Sequence, residues 1–167
     1  LRYFFLVLFP YVAIFLQSTL FGFYSIKGTI PDLMLIFVVF FALLNKLNKG
    51  TAYGFFCGLL EDVYLGRFLG LNALAKGITA YIIGKIQGNL FKDNLVVGIS
   101  AVFIGTLLNS FLLFLLSFFT IDASYIGVNI LPSILYQTVY NIIIAAPLYV
   151  WYYNSSKNGV LKSSGEI

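Results

Sequence analysis

The sequence predicts an all-α integral membrane protein, a single domain of six transmembrane helices over residues 1–167. Two observations carry this. Of the 167 residues, 60% are hydrophobic and only 10% are charged, with a mean hydropathy of +0.97. An average soluble domain carries about 25% charge, and a chain of this size cannot hide so much apolar surface from water. The apolar residues also fall into six segments. At about 20 residues per spanning helix these use about 120 residues and leave no room for a soluble domain.

The first segment, 3–24, is too long for the apolar region of a signal peptide, contains Pro10 and lacks a small-residue cleavage pattern, so it reads as a retained span. Gln17, Ser18 and Thr19 in its distal half are expected to face the bundle, because lipid disfavours them. The second segment, 31–44, is short and calls for tilt or adjustment at its flanks. Pro31 is expected at its first helical position, with the Asp32 carboxylate near the positive end of the helix dipole. Asn45-Lys46-Leu47-Asn48-Lys49 joins it to the third segment, 50–64, so the two form an antiparallel hairpin. The fourth segment is 71–86, and the fifth, 94–119, is long enough to tilt. The sixth, 131–153, opens at Pro132 and is expected to bend or weaken near Pro147.

Lys and Arg set the orientation, since the cytoplasmic side carries the excess. With the N-terminus inside, Arg2, Lys46, Lys49, Lys85, Lys92, Lys157 and Lys162 lie inside and Lys27 and Arg67 outside, with Lys76, inside the fourth segment, not counted. Both termini are therefore expected in the cytoplasm. Trp151, Tyr152 and Tyr153 are then expected at the inner interface, where amphipathic rings prefer to lie.

The chain has no histidine and one cysteine, Cys57. That excludes a disulfide framework, most zinc sites, and Ser-His-Asp or Cys-His catalysis. The net charge of +4 comes from basic residues scattered singly at helix ends, a topology signal rather than a nucleic-acid face. Cys57 reads as a small packing residue.

Gly50, Gly54, Gly58, Asp62, Gly66 and Gly70 recur every fourth residue. This spacing puts three glycines and then a carboxylate along one ridge of the third helix. Ala73, Gly77, Ala80, Gly84 and Gly88 form a matching series in the fourth. Small residues at i, i+4 let membrane helices approach closely. The stripe serves either packing within the bundle or docking of another protein's helix, and Gly58→Leu is expected to abolish that close contact. Gly66 and Gly70 shape the reversal between the two helices.

In the proposed topology Asp32, Glu61, Asp62, Arg67 and Lys76 all fall in the outer leaflet, three acids against two bases, as one ion-pair network. Such a cluster either caps and pairs helix ends or forms a polar pocket for a ligand or partner. An intramembrane aspartyl protease built on Asp32 and Asp62 has no other supporting element. On the sixth helix, Ser133, Gln137 and Asn141 share a face, with Asn109 of the fifth as their expected hydrogen-bonding partner.

The string Pro31-Asp32-Leu33-Met34-Leu35, a short basic loop, then Gly54, Gly58, Leu59, Leu60, Asp62, Gly66, Leu69-Gly70, Ala73 and Leu74 resembles the bacterial rod shape-determining protein MreD family. In that family a Pro-Asp opens one helix and a G-x-x-x-D-x-x-x-G-x-x-L-G-x-x-A-L run crosses a helix–loop–helix. The run starts here at Gly58, and the motif core covers residues 31–84. Glu61, Arg67 and Lys76 are not part of the pattern. The resemblance implies a cofactor-free, non-enzymatic scaffold of cell-wall elongation in the bacterial cytoplasmic membrane. It implies binding to the bitopic protein MreC and a link from MreB filaments to the synthase of RodA and a class B penicillin-binding protein. It also implies a six-helix fold similar to the S-components of energy-coupling-factor transporters. A vitamin- or metal-binding transporter subunit using the outer polar cluster is the alternative. A single tryptophan at the inner end and the absence of histidine weigh against it.

Overall fold

A computed structural model describes residues 2–25, 27–66, 68–89, 94–118 and 130–158. Arg67, Lys92 and Lys162, three of the charges used in the topology argument, lie outside these residues. The regular elements are helices: α1 (Arg2–Ser18), the single turn α2 (Leu20–Phe23), α3 (Leu33–Leu44), α4 (Leu47–Leu65), α5 (Leu71–Ile86) with a 3-10 turn at Gln87–Asn89, α6 (Leu95–Ser117) and α7 (Ile130–Asn158).

The organising element is α3. Its sequence is apolar on every side, which is the pattern of a helix buried all round rather than of an amphipathic one. Every residue from Leu33 to Leu43 is buried, and α1, α4, α5, α6 and α7 all pack on it. Its wholly apolar sequence therefore reflects a central position. Among the described residues, three helical stretches are long and apolar enough to cross a membrane by themselves: Phe4–Phe23, Leu95–Ser117 and Leu131–Lys157. α3 is apolar but shorter, and α4 and α5 fall short by composition or length.

Several expectations shift. Pro31 precedes the helix: Asp32 is the N-cap of α3 and Leu33 its first helical residue. Leu47, Asn48 and Lys49 belong to the first turn of α4, so the antiparallel hairpin turns on Asn45 and Lys46 alone. Gln17 faces the bundle, donating from Nε2 to Pro31 O at 3.3 Å. The hydroxyls of Ser18 and Thr19 instead fold back on Phe15 O, where α1 ends. α7 runs helical through Pro147. Tyr152, expected at the inner interface, packs in the core against Phe9, Phe37 and Phe40. Trp151 beside it stays half exposed.

Close helix contacts fall where glycines permit them. A Cβ on Gly50 would lie 2.9 Å from Ala42 Cα, and one on Gly54 2.8 Å from both Ala80 Cβ and Lys76 O. On α6, a Cβ on Gly98 would meet the buried Tyr149 ring at 2.5 Å. The contacts Gly50–Ala42 and Gly54–Val38, then Gly58–Ala73 and Gly84–Leu47, run α4 antiparallel to both α3 and α5. The glycine stripe of α4 is thus filled by this chain's own α3 and α5. A partner helix docking on it would have to displace them.

Candidate functional site

The polar residues gather at the end of the bundle where α3 and α5 begin and α4 ends. Asp32 is positioned by its cap. Its Oδ1 accepts from Leu35 N at 2.8 Å, which satisfies one of the orphan amides at the helix start. Its own N–H donates to Asn141 Oδ1 of α7 at 2.8 Å. Asn141 Nδ2 in turn donates to Thr106 Oγ1 of α6 at 3.0 Å. This chain of bonds ties the start of α3 to α6 and α7. Asn109, the expected partner of Asn141, is buried one turn further along α6 with its Oδ1 unpaired among the described residues.

Lys76, in the second turn of α5, is completely buried. Its Nζ lies 2.9 Å from Asp32 Oδ2 and 2.6 Å from Glu61 Oε2. One ammonium thus joins carboxylates from the start of α3 and the last turns of α4. In so dry a place a lone charge costs several kcal/mol, and pairing offsets this only when the geometry is good. The cluster read as one network of five charges is divided in two. Asp62 takes no part in the triad, and Arg67 lies outside the described residues.

Asp62, also fully buried, serves the backbone. Gly66 ends α4 in the left-handed region (φ +60°) and Gly70 opens α5 at φ +107°, conformations that glycine adopts without a Cβ penalty. The reversal lays the first amides of α5 on the Asp62 carboxylate. Oδ2 accepts from Gly70 N at 2.9 Å and Ala73 N at 3.2 Å. Oδ1 accepts from Asn72 N at 3.0 Å and Asn72 Nδ2 at 2.9 Å. A carboxylate on one helix thereby caps the next and meets the positive end of its dipole. Asp32 and Asp62 are each committed to a different helix start, so the geometry of a paired-aspartate protease is not present.

Asp62→Asn is expected to cost about 1–3 kcal/mol, because its amide group would face two backbone donors. Amide exchange at Gly70, Asn72 and Ala73 should accelerate while that of Ala80 stays unchanged. Unchanged protection at all three would refute the capping role.

Over this end opens a cavity of about 730 Å³, lined in part by Asp32, Glu61, Asp62, Asn72, Ser117 and Gln137. Sequence reasoning brought Asp32, Asp62, Gly66, Gly70 and Lys76 to one end. It missed Asn72 and Thr106, whose short polar side chains carry no distinctive spacing. Pro31 contributes only its carbonyl, to Gln17. Gly50, Gly54 and Gly58 belong to the helix interface below.

No curated protein and no solved structure matches the chain. A family model described as rod shape-determining protein MreD matches residues 1–155. With that match spanning both the Pro31-Asp32 start and the Gly58–Leu74 run, the chain belongs to the rod shape-determining protein MreD family.

Proposed function

We propose that this protein is a non-enzymatic scaffold of bacterial cell-shape determination, crossing the cytoplasmic membrane six times with both termini inside. In this reading it binds MreC and links MreB filaments to the peptidoglycan synthase of RodA and a class B penicillin-binding protein. The observation that carries the role is the family match over residues 1–155. The distribution of Lys and Arg supports the orientation. α4 and α5, too polar or too short to be spans by themselves, cross as a hairpin held against α3, with the buried Lys76 and Glu61 paired and Asp62 bonded to backbone amides. A resemblance of the bundle to the S-component fold belongs to the same proposal.

With the glycine stripe filled internally, the contact with MreC falls on the outward faces of the helices, where large apolar side chains such as Phe4, Phe15, Phe111 and Ile143 are exposed. Affinity capture from detergent-solubilised membranes tests this. The tagged protein is expected to retain MreC in stoichiometric yield. Folded protein that retains none would overturn the reading.

The cavity over the ion triad favours a second reading, a ligand-binding membrane subunit of the S-component kind. A stoichiometric small molecule in native mass spectra of the purified protein would support it over the scaffold.

A further inference from the structure

A second cavity, of about 560 Å³, lies between α1 and α4 at the opposite end of the bundle. Its α4 wall is Lys49, Ala52, Tyr53, Phe56, Cys57 and Leu60, spaced as one helix face. Its α1 wall includes Val7 and Pro10. Tyr53 Oη donates to Leu6 O at 3.0 Å and ties the two walls together. The lining is mostly apolar, with Tyr11 and Tyr53 in its walls and the Lys49 ammonium at one end. Lys49 is exposed and makes no hydrogen bond or ion pair among the described residues.

We propose that this groove holds one acyl chain of an anionic phospholipid, with the lipid headgroup at Lys49. Two observations select that occupant. From Lys49 to Leu60 is eleven residues, about 16 Å at about 1.5 Å per residue, and this is close to half of a hydrocarbon core about 30 Å thick. The groove is therefore one leaflet deep. The recess itself closes at Leu60, a depth that takes one acyl chain, while the exposed Val63 and Tyr64 carry the apolar face of α4 further as open surface. The free ammonium also stands at the headgroup end, on the side that the charge distribution assigns to the cytoplasm, where a negative headgroup complements it. The inference rests on the membrane reading above but not on MreC.

The test is native mass spectrometry of the full chain released from nanodiscs containing equal amounts of phosphatidylglycerol and phosphatidylcholine. The wild type should retain one phosphatidylglycerol in preference. Lys49→Gln should lower that retention about fivefold, the factor equivalent to about 1 kcal/mol per basic residue near an anionic surface. Ala52→Phe, at an exposed position in the wall, should fill the groove and remove both lipids while the melting temperature is kept. Equal retention of the two lipids by the wild type, or undiminished retention in Ala52→Phe, overturns the proposal. Loss of the lipid on addition of MreC also overturns it and assigns the groove to a partner helix. Capture of MreC is read in parallel on both variants, which separates loss of the lipid site from loss of the scaffold role.

Discussion

Lys76→Met should destabilise the folded protein by about 3–5 kcal/mol, the cost of leaving a buried charge without its partner. Here two carboxylates, Asp32 and Glu61, lose the one cation they share. The loss reaches beyond the pair. Asp32 also caps α3 and donates its backbone N–H to Asn141 Oδ1, so repulsion between the two acids disturbs the start of the central helix. Unfolding in mixed micelles measures the change. A drop of less than about 1 kcal/mol, the range of an exposed ion pair, would mean that water reaches the triad. Removing all three charges should recover most of the stability, because buried ion triads are often replaced by neutral side chains at little or no cost.

Gly58→Ala should be the most damaging glycine substitution on the α4 stripe. A Cβ there would collide with Asn72 O and lie 2.5 Å from its carbonyl carbon and 2.6 Å from Ala73 Cα. These are backbone atoms of α5 and have no rotamer through which to yield. The same residues donate to Asp62, so pushing α5 away also opens its cap. Overpacking of this kind costs about 1–3 kcal/mol or more, against a gain of up to about 1 kcal/mol from helix propensity. Gly77→Ala on the facing helix is the control. Its Cβ would make ordinary contacts of 3.5–3.7 Å with Phe55, so it should be neutral or slightly stabilising. Equal melting temperatures for the two variants would contradict the packing described.

Much of this fold was legible because its signals are local. The boundaries of α5 follow from apolar pattern and glycine punctuation alone, and the G-x-x-x-D-x-x-x-G run already placed a carboxylate on the ridge that faces the next helix. What was not legible depends on which helix sits in the middle. Nothing local distinguishes α3, wholly apolar, from a short span in lipid; only packing on five sides does. The same gap hid the division of labour among the acids. Glu61 and Asp62 are neighbours in sequence, yet a rotation of about 100° between successive residues sends one to Lys76 and the other to the amides of α5. Similarly, Asn141 was recognisable as a polar residue on a membrane helix. Its choice of Thr106 over Asn109 turns on a shift of three residues in the crossing of α6 and α7.

These features make the buried charges and the glycine stripe internal fastenings of the bundle, and the proposed scaffold role then has its contacts elsewhere. The most direct measurement is replacement of the native protein in rod-shaped cells by the triple variant Lys76→Met, Asp32→Asn, Glu61→Gln. The side-chain amide oxygen at position 32 of that variant can still cap α3, since asparagine is as good an N-cap as aspartate. The expected result is a protein that melts near the wild-type temperature, captures MreC and restores rod growth. A variant with wild-type melting that leaves the cells round would contradict the account and make the triad a working contact for a ligand or partner.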